Sequence, residues 1–365
     1  MSQTVLKKEE KIAIALRALY RAYGYLPYQM SKFEPYDLYA ANKDFLVGEG
    51  VITFTDTDGK LLALKPDVTL SIIKNTQDGE LQKVYYNENV YRISGETKQY
   101  KEIMQVGLEC LGDIGLYEVY ETVTLAAASL QEISDTFVLD ICHLGILSAI
   151  FEEIGKGEKC NGEIMRCLSN KNAHEMRAVC LSYGVDEKQT QKLTTLLQAY
   201  GDMETVLSVL APICKNGKAK LAYDELCALV ALLKKDNNAS CIRLDFSVVN
   251  DMKYYNGIVF KGFVDGVCEG VLSGGQYDRL MKRLGKKSHA IGFAVYTDLL
   301  ERLNAQKTAV DVDVLVLYDA QTDVSVLVEE TQKLQKQNKR FRVQKTAEGI
   351  RGGETLDLRG KGGRI

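Results

Sequence analysis

Apolar residues recur at helical spacing near the start of the chain, at Ile12, Leu16, Leu19, Tyr20 and Tyr23, and the run stops at Gly24. That pattern predicts an amphipathic helix over residues 6–23, with the glycine as its terminator. Two short β-prone runs, Val51-Ile52-Thr53-Phe54-Thr55 and Lys60-Leu61-Leu62-Ala63-Leu64, flank Asp56-Thr57-Asp58-Gly59. The Asp-Gly step there marks a hairpin turn. Longer strands are expected over residues 83–92 and 102–111, then a helix over residues 117–133. In the second of these strands, alternation sends Met104, Val106 and Leu108 one way and Ile103, Gln105, Gly107 and Glu109 the other. Gln105 and Glu109 thus share a face of an otherwise apolar strand, and both need partners. The whole reads as an α+β fold, an antiparallel sheet flanked by helices.

Residues 145–238 change character and read as nearly all helix, including residues 163–183, 187–200 and 222–235. A helical insertion between residues 1–144 and residues 239–306 is the simplest organisation. Strand patterns resume at Ile242-Arg243-Leu244-Asp245-Phe246, Ile258-Val259-Phe260 and Gly270-Val271-Leu272, with helices expected from Tyr277 and again from Ala290. The sheet is therefore split in sequence and continuous in space. Beyond the linker around Gln306-Lys307-Thr308, residues 307–365 carry a strand at 312–317, a helix at 324–337 and a strand at 340–344, a small C-terminal α/β unit of partial βαβ type. The tail Arg359-Gly360-Lys361-Gly362-Gly363-Arg364 is basic and glycine-rich, but no strand-to-helix context equips it to grip phosphate.

A length of 365 residues exceeds one ordinary domain. With 46% hydrophobic and 26% charged residues, no apolar run of membrane-spanning length and a polar start at residues 1–11, the chain is expected to be cytoplasmic and to meet no membrane. A net charge of -3 provides no global attraction for nucleic acid. The nine cysteines form no C-x-x-C pair, and Cys110, Cys142, Cys180, Cys227, Cys241 and Cys268 lie in apolar-rich segments, so reduced structural thiols are expected. His143, His174 and His289 have no ligand spacing around them, and neither metal nor cofactor is expected.

Four polar blocks stand out against this background: Leu64-Lys65-Pro66-Asp67-Val68-Thr69; Val84 to Arg92 with Gln105-Val106-Gly107-Leu108-Glu109; Tyr254-Tyr255-Asn256-Gly257; and Ser273-Gly274-Gly275-Gln276-Tyr277-Asp278. Taken in this order, they resemble the catalytic core of class II histidyl-tRNA synthetases and of their paralogue, the ATP phosphoribosyltransferase regulatory subunit. The resemblance covers roughly residues 1–130 and 240–303 and implies a class II aminoacyl-tRNA synthetase-like sheet. It also implies a histidine pocket. Asp67 and Thr69 would hold the α-amino group, Arg92 the carboxylate, and Gln105 the region between them. Glu109 would read the imidazole, Tyr254 and Tyr255 would close over the ring, and Gly274 and Gly275 would let backbone approach the ligand. Read locally, Asp67 is equally a helix-cap or first-turn acid, the tyrosine pair a core contact and the glycines a bulge.

The chain departs from the synthetase pattern where a triphosphate would be gripped, and attack at the α-phosphate needs cationic groups there. Asn250 replaces the arginine four residues before Tyr254, Leu299 replaces the arginine ending the final signature, and Gln99 stands near a third expected arginine. Lys65 and Lys101 replace two more, keeping charge without the guanidinium fork. The polar loop at residues 93–100 is about one residue shorter than usual, and Ser31 stands where the dimer-interface motif usually has proline. The amino-acid side is kept while the nucleotide side is lost. The resemblance therefore implies a regulatory subunit with no catalytic residues of its own, binding free histidine and relaying feedback inhibition. It would assemble with the short-form catalytic subunit of ATP phosphoribosyltransferase, as a self-dimer within a hetero-oligomer. A divergent histidyl-tRNA synthetase and an orphan histidine-binding module are the alternatives. Transfer RNA is not an expected partner, because the C-terminal unit is short for a complete anticodon-binding domain.

Overall fold

The computed structural model describes residues 6–42, 50–93, 97–248, 254–304 and 310–360. Contacts divide the chain into two compact units, residues 1–303 and residues 304–365. The first unit begins with α1 (Lys8–Ala22), which buries Ile12, Leu16 and Tyr20 and ends at Gly24, where φ is +81°. Next come β1 (Leu26–Pro27), β2 (Phe33–Pro35), α2 (Tyr36–Ala40), β3 (Thr53–Thr55), β4 (Leu61–Leu64) and α3 (Thr69–Asn75). Gly59 adopts φ +86° in the β3–β4 turn, as an Asp-Gly hairpin requires. The long hairpin β5 (Gln82–Ile93) and β6 (Tyr100–Gly112) leads into α4 (Leu116–Ile133), β7 (Phe137–His143) and α5 (Leu144–Ile154).

The helical stretch continues with α6 (Glu158–Ser169), α7 (Ala173–Ser182), α8 (Glu187–Gln198), the short β8 (Tyr200–Gly201), α9 (Met203–Leu210) and α10 (Gly217–Leu233). The single helix expected over residues 163–183 is thus two. Lys171 takes a left-handed φ of +50°, and Asn172 starts α7 by accepting a hydrogen bond from the Glu175 amide. After β9 (Ile242–Asp245) come β10 (Ile258–Val264), β11 (Leu272–Gln276), α11 (Asp278–Arg283), β12 (His289–Tyr296) and a 3-10 segment, Thr297–Asn304. The helix expected from Ala290 is therefore a strand. Its apolar residues belong to a strand with neighbours on both sides, and such a run carries no period that separates strand from helix.

These strands form one nine-stranded sheet, ordered β1-β5-β6-β12-β11-β10-β7-β9-β8, antiparallel except where β1 meets β5 and β7 meets β9. β7, an unexpected strand between α4 and α5, pairs with β10 along seven residues. A separate three-stranded antiparallel sheet is ordered β2-β4-β3. On one face of the large sheet, Val106, Leu108, Ile141 and Phe293 join α1, α4 and the helices α5–α10 in a single apolar core. A second core on the other face gathers Tyr39, Leu70, Ile73, Tyr86, Tyr254, Tyr277 and Leu280 around α3, α11 and the small sheet. Alternation along β6 places Gln105, Gly107 and Glu109 toward this second face.

The second unit contains β13 (Val312–Leu317), α12 (Val324–Lys336), β14 (Phe341–Gln344) and β15 (Gly352–Asp357). Its sheet is parallel with β13 in the centre, and β15, which opens on Gly352 and Gly353, is a strand beyond the expected βαβ unit. None of the described helices is long and apolar enough to cross a membrane. All nine cysteines are free. Burial pushes the Cys142 thiol up, whereas Cys268 is exposed, contrary to its expected apolar setting.

Candidate functional site

The β5–β6 hairpin, α3, β11 and β12 converge on one pocket lined by Asp67, Thr69, Tyr86, Arg92, Gln105, Glu109, Tyr254, Tyr255 and Tyr277, with Ser273, Gly292, Phe293, Ala294 and Tyr296 completing its wall. Seven of the nine residues picked out from the sequence are in that wall. The register explains why they meet. Tyr86 lies opposite Gly107 and Glu88 opposite Gln105, while Gly292 lies opposite Glu109 and Tyr296 opposite Gln105 on the other side. Adjacent strands thus put same-face residues in rows.

Gly274 and Gly275 stand apart, since neither lines the pocket. A Cβ on Gly274 would overlap the Gly292 carbonyl oxygen and the Phe293 Cβ. One on Gly275 would come within 2.9 Å of Tyr255 Cδ1 and 2.7 Å of the Ile258 oxygen. The space a side chain would need at either position is taken by strand packing and by the seat of Tyr255. Gly292 does line the pocket, and a Cβ there would overlap Glu109 Oε2. Gly292→Ala is expected to cost about 1–3 kcal/mol of stability by overpacking, measured by chemical denaturation. An unchanged midpoint would show that Glu109 has room to retreat.

Asp67 takes the first-turn place its position allows and also faces Arg92. Its Oδ1 accepts the Leu70 amide at 2.9 Å in the first turn of α3, and its Oδ2 stands 3.8 Å from Arg92 Nη2. Burial raises its pKa, with the Arg92 charge opposing. The guanidinium is itself oriented by a bond from Nε to the Pro66 carbonyl at 2.8 Å. Because 3.8 Å is too long for a hydrogen bond, the two opposite charges face each other with donor and acceptor capacity to spare.

Glu109 is buried in the pocket wall, where Oε1 accepts from Thr69 Oγ1 at 2.8 Å and Oε2 from the Tyr277 hydroxyl at 2.5 Å. Burial pushes its pKa up to about 8, more than those two bonds pull it down, and Asp67 raises it further. The phenols of Tyr86, Tyr254 and Tyr277 are held well above their ordinary range by burial, so they stay neutral. Tyr254 and Tyr255 meet edge to face at 4.6 Å between centroids, and Tyr254 lies 5.9 Å from Tyr277. They form an aromatic cover that is at once core and pocket wall. Tyr296 and Ser273 share a hydrogen bond of 2.7 Å at the rim.

Among the described residues lining the pocket, Arg92 is the one Lys or Arg. Lys65 is fully buried with its Nζ on Glu88 Oε2 at 2.7 Å. Leu299 packs against the apolar core, while Asn250 and residues 94–96 of the polar loop lie outside the described residues. No three His, Cys, Asp or Glu side chains among the described residues are grouped to hold a metal ion. Chemically, the pocket offers one fixed cation, one carboxylate beside it and a second, more protonated carboxylate under an aromatic cover. That arrangement complements a small zwitterion bearing a further polar ring.

A large, mainly antiparallel sheet carrying such a pocket on one face and helices on the other defines a protein of the class II aminoacyl-tRNA synthetase type. The family model for histidyl-tRNA synthetase matches residues 2–300. The chain belongs to the histidyl-tRNA synthetase family. An ATP phosphoribosyltransferase regulatory subunit from Oceanobacillus iheyensis is 26% identical over 349 residues, 93% of this chain and 85% of that one. An ATP phosphoribosyltransferase regulatory subunit/histidyl-tRNA synthetase from Bacillus halodurans has a solved structure similar to this one, with a TM-score of 0.77 at 22% identity over 97% of this chain and 94% of that one. A chain of the ATP phosphoribosyl transferase (HisG:HisZ) complex from Thermotoga maritima aligns with a TM-score of 0.63 at 16% identity, over 79% of this chain and 97% of that one. At those identities the two structural likenesses speak for the fold.

Proposed function

We propose that this chain is a non-catalytic regulatory subunit of an ATP phosphoribosyltransferase, acting in the cytoplasm. In this reading it binds free histidine and assembles with a short-form catalytic subunit that condenses ATP with phosphoribosyl pyrophosphate, the first step of histidine biosynthesis. The observation that carries the reading is the charge inventory of the pocket. Asp67 and Arg92 match the ammonium and carboxylate of an amino acid, and Glu109 with Tyr277 remains for the imidazole nitrogens. A triphosphate would need several cations at once, and Arg92 is the one Lys or Arg among the described lining residues. The regulatory-subunit relative, matched over 93% of this chain, supports the same assignment.

Feedback inhibition follows if histidine binds one state of the assembly better than another, since only differential affinity shifts an equilibrium. Calorimetric titration of the isolated chain with histidine is expected to give saturable binding around the micromolar range, which two or three charge-assisted contacts can supply. Histidine-dependent exchange of pyrophosphate into ATP would instead identify an aminoacylating enzyme. Self-association is part of the proposal, and light scattering of the isolated protein is expected to report twice the mass of one chain. A monomer at tens of micromolar would remove that part.

A further inference from the structure

Glu34 lies outside the pocket wall, yet its carboxylate reaches one of the pocket's supports. It sits on β2 as the one buried residue of that strand, between exposed Phe33 and Pro35. One oxygen accepts a hydrogen bond from Ser71 Oγ at 2.5 Å, and the other accepts from the Tyr39 hydroxyl. Ser71 belongs to α3, the helix that begins at Thr69 and whose first turn is tied to Asp67. Tyr39 belongs to α2, from which no residue lines the pocket. With only seven residues, α3 is too short to be held by its own hydrogen bonds. Tertiary contacts must therefore fix where the Thr69 hydroxyl and the Asp67 carboxylate stand.

We infer that Glu34 is a positioning residue that acts through Ser71 to fix α3, and thereby sets how well the pocket holds the ligand's α-ammonium group. This rests on the amino-acid pocket of the preceding section and names one determinant of its selectivity. Glu34 touches no ligand in this arrangement. Its leverage comes from binding the same helix that presents the ammonium partners, so a small displacement of α3 moves both of them together.

Two hydroxyls on one carboxylate provide the test. Ser71→Ala and Tyr39→Phe each remove one of them, so a merely structural role for Glu34 would lower histidine affinity by similar factors in the two variants. Positioning through α3 separates them. Ser71→Ala is expected to weaken histidine about fivefold while imidazolepropionate, which lacks the ammonium, stays within about twofold. Tyr39→Phe should leave the ratio of the two affinities at its wild-type value, and Glu34→Gln should change it in the direction of Ser71→Ala. If Glu34→Gln does not fold, the serine and tyrosine variants decide the matter alone. Equal losses for both ligands in Ser71→Ala, or the same change of ratio in Tyr39→Phe, would overturn the inference. Wild-type protein that binds neither ligand would remove the pocket reading itself.

Discussion

Glu109→Gln is expected to yield a protein that is more stable at pH 8 than the wild type and a poorer binder of histidine. The sign follows from the direction of the shift. Burial lifts the Glu109 carboxyl from an ordinary 4.5 to about 8 in the folded chain. Below pH 4.5 both folded and unfolded chains carry the proton, and the group costs nothing. Between those values the unfolded chain ionises while the folded one does not, so stability falls as pH rises, levelling off above about pH 8. The whole swing is on the order of 4–5 kcal/mol. A glutamine has no such titration, so its advantage should grow from pH 5 to pH 8 in urea denaturation. The same change removes the carboxyl from the end of the pocket proposed for the imidazole, where a hydrogen bond left unmade costs about 1–3 kcal/mol, or roughly 5- to 150-fold in affinity. Unchanged histidine affinity would mean that the ring is read elsewhere. Parallel stability profiles for the two proteins would mean that the carboxyl is not held protonated.

Arg92→Ala is expected to weaken histidine by about 10- to 100-fold and histidinamide by much less, because in the proposed pocket only a free carboxylate would use the guanidinium. The partner left behind matters too. Asp67 is buried and relies on Arg92 to offset its burial, so removing the arginine should push the Asp67 carboxyl further up. Some loss with histidinamide is therefore expected through the ammonium end. Equal losses for the two ligands, measured by calorimetry, would take the carboxylate role away from Arg92.

The β5–β6 hairpin was legible because its alternation is local. Gln105 and Glu109 fall on one face by parity alone, and counting back in twos from Arg92 along β5 reaches Tyr86, a signal that was present and unused. The partners of that hairpin were not legible. β12 is an apolar run without a period, so taking it as a helix removed Gly292, Ala294 and Tyr296 from consideration. Their place in the wall is set by pairing with β6 and β11, a non-local fact. Tyr277 was visible within its motif, but its hydroxyl reaches Glu109 across a sequence separation of 168 residues. Glu34 had still less to mark it. One acid in a three-residue strand becomes informative only once Ser71 and Tyr39 are seen to close on it.

The regulatory role is tested most directly by phosphoribosyl transfer with a short-form catalytic subunit, assayed with and without this chain while histidine is titrated. Adding the chain is expected to raise the activity and histidine then to suppress it, while chain carrying Arg92→Ala should still activate but need a much higher histidine concentration for suppression. A catalytic subunit whose activity is the same with and without the chain, at every histidine concentration, would contradict that role.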